Sequence, residues 1–278
     1  MNVVSDALPT VSLTAPANNT NYIAPASVAL TANASDSDGT ISKVEFYQGS
    51  TLLGTDSTSP YAYTWASVAM GNYSLTAKAY DNNNVATTSS AVNIIVWGTS
   101  DIGTVGVAGS SSYSGSTFTV SGAGAGITST ADAFRYVYRQ FSGNTTIIAR
   151  VATEASGTST ERAGVMMRQN LNANSIEAST LHTPTSTYTV YFQRRTSAGG
   201  STSSSTGTGA AAPYWVKLVR NSNTLSAYLS ANGSSWTAVG SGTTVTMTDP
   251  IYVGLAVTSG STSAAKTVTF DNVSITQP

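Results

Sequence analysis

The sequence predicts an all-β protein built from two β-sandwiches in tandem. Three observations carry that expectation. Short segments of alternating apolar and polar residues recur about every 8–12 residues, with Gly, Asn, Asp and Ser turns between them. No stretch keeps a 3.6-residue apolar period long enough for a helix. The chain, at 278 residues, is long enough for two units that each bury a core.

In residues 9–96, strands are expected at Thr10–Ala15, Ser27–Ala34, Ile41–Gln48, Thr51–Thr55, Tyr61–Ala66, Gly71–Asp81 and Ala91–Val96. Within them Val44 and Phe46 lie opposite Lys43, Glu45 and Tyr47, and Leu75, Ala77 and Ala79 lie opposite Ser74, Thr76 and Lys78. Residues 97–100, Trp97-Gly98-Thr99-Ser100, read as a short linker. In residues 101–278 the early strands are Ile102–Gly106, Ser112–Tyr113, Thr117–Gly122, Phe134–Phe141 and Thr145–Ala152. Three follow at Ala163–Gln169, Ile176–His182 and Tyr188–Arg195. The last are Tyr214–Arg220, Thr224–Ser230, Thr237–Val239, Thr243–Met247, Ile251–Ser259 and Thr267–Ile275. So many strands suit a two-sheet jelly roll. The Gly/Ser/Thr-rich stretch Ser197–Ala212 has no core to bury and reads as a hairpin tip turning at Gly199-Gly200.

Composition excludes several functions. Charged residues make up 9% of the chain and the net charge is −1, so bulk electrostatics attract no nucleic acid. The absence of cysteine excludes disulfides, thiol nucleophiles and thiolate metal sites. No apolar run approaches the roughly 18–20 residues of a membrane span. The start Met1-Asn2-Val3-Val4-Ser5-Asp6 lacks the basic and apolar regions of a signal peptide. The favoured expectation is an export signal already removed from a piece excised from a longer chain, placing the protein outside the cell or on its surface. Neighbouring domains of that chain are then among its partners.

The series Asp36-Ser37-Asp38-Gly39-Thr40-Ile41, Lys43-Val44-Glu45-Phe46-Tyr47, Ser59-Pro60-Tyr61 with Trp65, Gly71-Asn72-Tyr73-Ser74-Leu75-Thr76-Ala77 and Tyr80-Asp81-Asn82 covers nearly all of residues 9–96. It resembles the bacterial Ig-like domains that separate the modules of secreted polysaccharide-degrading enzymes, which implies a spacer. Asp36 and Asp38, with Asp81, form a candidate structural calcium site, because hard cations take several carboxylate or carbonyl oxygens. An Asx-type turn is the alternative. Trp65 reads as core.

A second series runs through most of residues 101–275: Ala131-Asp132-Ala133-Phe134-Arg135-Tyr136, Arg162-Ala163-Gly164-Val165-Met166-Met167-Arg168, Phe192-Gln193-Arg194-Arg195, Pro213-Tyr214-Trp215-Val216-Lys217, Tyr252-Val253-Gly254-Leu255 and Phe270-Asp271-Asn272-Val273. It is similar to concanavalin A-like β-sandwich modules of bacterial secreted enzymes, implying a jelly roll with a sugar-binding role. Members of that family often carry Trp near Ile127 and His near Glu177; this chain has neither.

Strand alternation places arginines, an amide and an aromatic ring on one side of Arg162–Arg195, opposite an apolar side. Arg150, Arg168, Tyr191, Gln193 and Arg195 form one candidate ligand face if their strands are neighbours. Carbohydrate recognition wants this set: rings for apolar sugar faces, forks and amides for hydroxyls. A solvated face with arginines paired to Glu154, Glu161 and Glu177 is the alternative. Trp215 shares a face with Lys217, opposite Val216 and Leu218, and is the leading stacking residue. Asp101 and Asp271 form a second candidate calcium site, with backbone-bonding turn residues as the alternative. Ser230-Ala231-Asn232-Gly233-Ser234-Ser235-Trp236 resembles an Asp-box hairpin, a folding device whose Trp packs beneath the turn.

Catalysis finds little support. No Glu-x-Asp-x-x-Glu-like strand motif is present, His182 is the only histidine, and no Gly-x-Ser-x-Gly elbow accompanies it. The Gly-rich Gly122–Gly126 is not followed by a helix. The expectation is a non-catalytic accessory region that binds a polysaccharide or other glycan. The alternative is a structural or adhesive protein of a cell surface, fibre or phage particle that self-associates without sugar.

Overall fold

The structure, a computed structural model, describes residues 6–278; Met1–Ser5, part of the stretch behind the export-signal expectation, lie outside them. Every regular element among the described residues is a β-strand. The chain divides into two compact units, residues 1–98 and 99–278.

In the first unit, Thr10–Ala15, Ala26–Ser35 and Tyr61–Val68 form one antiparallel sheet. The other sheet orders Val92–Ile102, Gly71–Asp81, Ile41–Gln48 and Thr51–Asp56 side by side. Alternation points Val28 and Leu30 of the first sheet, and Val44, Phe46, Leu75, Ala77 and Ile94 of the second, into one core. Trp65 packs partly buried against that core, edge-on to Tyr73 at 4.9 Å. Glu45, buried on the opposite side of its strand, accepts bonds from Lys43 Nζ and Tyr47 Oη, each at 2.6 Å. Two short polar strands that alternation does not reveal, Thr20–Ile23 and Ala86–Thr88, pair with Val92–Ile102 and Gly71–Asp81. The expected linker at 97–100 is instead part of Val92–Ile102: Trp97 is buried and its Nε1 donates to Asn21 Oδ1 at 2.8 Å. Gly98 and Ser100 suggested a loop, but small residues also tolerate strand backbone, and the buried indole holds the stretch extended.

The second unit has two antiparallel sheets. One runs Ser110–Ser114, Thr117–Gly124, Ser261–Thr276, Thr145–Glu154, Tyr214–Asn221, Thr224–Ser230 and Thr237–Ala238. The other runs Ser203–Thr208, Thr189–Arg195, Glu177–His182, Arg162–Arg168, Ile251–Thr258 and Ala131–Phe141. Ile147, Ala149, Val151, Val216, Leu218 and Phe270 of the first sheet are fully buried, as are Ala163, Val165, Met167, Phe192, Val253 and Leu255 of the second. Across the layer, Thr180 Oγ1 donates to Lys217 O at 3.0 Å. The expected hairpin tip at Ser197–Ala212 contains an edge strand, Ser203–Thr208, which pairs with Thr189–Arg195. Its Ser and Thr side chains need no core, because backbone hydrogen bonds alone add it to the sheet.

The second sheet is buried on both faces. Its far side carries another core of Ile102, Ile127, Phe134, Tyr136, Met166, Leu181 and Ala256. Arg162–Arg168 and Glu177–His182 are consequently buried almost without a break.

Phe270 fills the space between the two sheets at 0% exposure. Phe270→Ala is expected to lower the unfolding free energy by about 3–5 kcal/mol; urea denaturation of the full chain measures it, and a loss below about 1 kcal/mol would show that the layer is not packed there.

Candidate functional site

The six residues expected to line one ligand face fall on two sheets. Arg168, Tyr191, Gln193 and Arg195 project from the far side of the doubly buried sheet, whereas Arg150 and Trp215 lie on the other sheet. The single open face is therefore corrected. Two parts of the set remain, one buried and one exposed.

The buried part is organised by Asp132, which enters on Ala131–Phe141. Its carboxylate accepts Arg195 Nη2 at 2.6 Å and Nη1 at 2.9 Å, with Arg168 Nη1 at 3.4 Å. All three side chains have 0% exposure. Carbonyls take the remaining guanidinium protons: Asn170 O and Asn172 O from Arg168 at 2.7 and 2.6 Å, Ser175 O and Gly200 O from Arg195 at 3.0 and 3.1 Å. Gln193 Nε2 donates to Ile127 O, and Tyr191 lies under the Arg162 guanidinium at 3.9 Å. The short strand Gly126–Thr128 and the loop at residues 170–175 thus close over this side, so Arg168 and Arg195 cannot meet a ligand, while Tyr191 and Arg162 keep partial exposure.

Glu177 stands between Arg168 and Arg195 in register, yet both its carboxyl oxygens are buried without a hydrogen-bond partner. Burial pushes this carboxyl up to about 8, with Asp132 adding to the rise while Arg195 and Arg168 oppose it. His182 is also interior: Nδ1 meets Glu154 Oε2 at 2.6 Å and Nε2 meets Ala210 O at 2.8 Å. Burial raises the pKa of Glu154. None of the pairings that sequence reasoning offered, of arginines with Glu154, Glu161 or Glu177, forms a hydrogen-bonded ion pair among the described residues; Glu161 pairs with Lys266 instead.

The exposed part lies on the outward face of the other sheet. Asp271, Arg150, Trp215 and Ser230 are cross-strand partners in one row. Ser274, Ile148, Lys217 and Tyr228 form the next. Arg150 grips Asp271 with Nε to Oδ1 at 2.6 Å and with Nη2 to Oδ2, which lowers the Asp271 pKa and fixes the fork beside the half-buried Trp215. Lys217 Nζ sits 4.5 Å from the Tyr228 ring centre and 4.2 Å from that of Trp236.

The Ser230–Trp236 turn positions this edge. Asn232 Oδ1 accepts the backbone N–H groups of Ser234 and Ser235 at 3.0 and 2.9 Å, and Ser230 Oγ accepts that of Gly233 at 2.9 Å. Gly233 has φ +74° and lies so close to the Trp215 indole that an added Cβ would fall 2.7 Å from it. Sequence reasoning placed Lys217 beside Trp215 and read Trp236 as packing beneath its turn, but left out Tyr228. The alternation Ser226, Tyr228, Ser230 was the available signal for Tyr228.

Asp101 accepts Arg135 Nη1 at 3.2 Å and the Gly109 N–H at 3.0 Å, so arginines engage both Asp101 and Asp271. No group of three or more His, Asp or Glu among the described residues is placed to hold a metal ion.

Residues 9–77 match the family model of the bacterial Ig domain. The first unit is a bacterial Ig domain. Within it, Asp81 Oδ1 accepts the N–H groups of Asn83 and Val85 at 2.7 and 2.9 Å, an Asx turn, and Asp38 Oδ2 accepts that of Ala7 at 3.0 Å. Asp36 Oδ1 and Asp81 Oδ2 are buried without a partner. Among solved structures, the fibronectin(III)-like modules of Clostridium thermocellum CbhA are 30% identical over 31% of this chain and 94% of theirs, with a TM-score of 0.30. A protein from a study of carbohydrate-binding modules of the β-sandwich superfamily is 13% identical over 99% of this chain and 100% of its own, with a TM-score of 0.33. The GH43 protein BlXynB of Bacillus licheniformis is 12% identical over 96% of this chain and 62% of its own, with a TM-score of 0.47. A search of the curated proteins gives no match. No helix among the described residues is long and apolar enough to cross a membrane.

Two outcomes test the buried cluster. Asp132→Ala strands two buried guanidinium groups and is expected to cost about 3–5 kcal/mol in denaturant unfolding; a loss within experimental error would mean that they are hydrated. The folded-state value of Glu177, about 8, lies above the ordinary carboxyl value. Between the two values the folded chain holds a proton that the unfolded chain has lost, so this group's contribution makes stability fall as pH rises through that window. Glu177→Gln is expected to flatten the decline in Tm between about pH 5 and 8, and equal slopes in the two proteins would refute the assignment.

Proposed function

We propose that the chain is a non-catalytic accessory region of an extracellular bacterial protein: the bacterial Ig domain acts as a spacer, and the second unit, a concanavalin A-like jelly roll, binds a polysaccharide. The observation that carries this reading is the cross-strand pairing of Arg150 with Trp215 on an outward sheet face. An indole offers its surface to the apolar side of a sugar ring, while a fixed guanidinium fork donates to hydroxyls. The ion pair with Asp271 pre-orients the fork, so less freedom is lost on binding.

The carboxyl groups support a non-catalytic role. Glycoside hydrolysis uses two carboxyls about 5–10 Å apart across a substrate-filled space. Here Asp132 is saturated by arginines, and Glu154 and Glu177 lie in the interior. The two-sheet sandwich supports the jelly-roll reading, and the bacterial Ig domain supports an extracellular location.

Affinity electrophoresis against a panel of soluble polysaccharides tests the function. At least one polymer is expected to retard the full chain. Trp215→Ala is expected to weaken that binding about tenfold, roughly 1.4 kcal/mol, while Tyr191→Ala leaves it unchanged. No retardation by any polymer would overturn the reading, and concentration-dependent self-association without sugar would favour a structural or adhesive protein.

A further inference from the structure

The outward face carries an unequal charge. Asp271 neutralises Arg150, and the register partners in the two rows supply no second carboxylate. Lys217 remains. Its ammonium is held over two rings and makes neither an ion pair nor a side-chain hydrogen bond among the described residues. Aromatic faces stabilise a cation, but they do not satisfy its three N–H donors. Burial lowers the pKa of Lys217, as expected where water is partly displaced. An acceptor from outside the chain therefore completes this group best if it carries negative charge, because a charge-assisted bond is shorter and stronger than one to a neutral hydroxyl.

Position matters as much as charge. Lys217 is two residues along the strand from Trp215, whose cross-strand partner is Arg150. That diagonal relation puts the Cβ atoms of Arg150 and Lys217 somewhat less than about 7–8 Å apart, a span comparable to one sugar residue and its substituents. Of the other polar groups in these rows, Ser274 is an exposed hydroxyl suited to a neutral sugar oxygen, whereas Ser230 is buried and held within its turn.

We infer that the ligand of this face is an acidic polysaccharide, whose ring stacks on Trp215 while its carboxylate meets Lys217. This rests on the polysaccharide-binding reading and narrows it to a substrate class. The probes are polygalacturonate and its fully methyl-esterified form, which share a backbone and differ in charge, beside neutral xylan and β-glucan. Polygalacturonate is expected to bind at least tenfold tighter than its ester in low salt and to lose that advantage at about 0.5 M NaCl, where screening is short-ranged. Lys217→Gln is expected to erase the preference, and Lys217→Arg to retain most of it.

Equal binding of acid and ester, or a preference that survives Lys217→Gln in a protein with unchanged circular dichroism, would overturn the inference. Retardation by a neutral polymer alone would overturn it too, yet leave polysaccharide binding standing. Failure of every polymer would remove both.

Discussion

The placement of Asp132 between Arg168 and Arg195 is the constraint on which the second unit depends. Three charges without exposure are stable only when each is compensated, and here the carboxylate and six backbone carbonyls do so. Those carbonyls belong to the segments that cover the sheet. One cluster therefore both satisfies the arginines and ties down the covering loops. A hydrophobic cover alone would bury the same area without holding the loops in one register. The neighbouring Glu177, unbonded and with a raised pKa, shows how fully the site is committed to the Asp132 partnership.

Closing that side leaves the outward face of the other sheet as the accessible one. There the burial pattern of Tyr214–Asn221 alternates cleanly, with Trp215, Lys217 and Val219 partly accessible and Val216 and Leu218 buried. The Asp271–Arg150 pair, the indole and the caged Lys217 are fixed by strand register and by the Ser230–Trp236 turn. Such a surface is largely formed before any ligand arrives, which suits stacking on a long polymer better than enclosure of a small molecule.

The bacterial Ig domain uses a different economy of charge. Its acidic turn residues bond mainly to backbone N–H groups, and the buried Glu45 is satisfied by its own strand neighbours Lys43 and Tyr47. There two ammonium groups, of Lys43 and Lys78, share the single ring of Tyr80 at 4.3 and 4.9 Å, whereas in the second unit Lys217 sits over two rings.

Local pattern was enough to determine the all-β class, most strands and the inward or outward sense of side chains such as Val216 and Trp215, because alternation is a property of the strand itself. The Ser230–Trp236 turn was legible for the same reason: its hydrogen bonds span at most three residues. Tertiary structure alone decided which faces meet. Arg150 and Arg168 lie on successive strands of the chain but belong to different sheets, and Asp132 reaches Arg195 across 63 positions. An arginine on a strand reads alike whether it faces water or a buried carboxylate, since alternation reports that a strand has two sides and says nothing of what covers each.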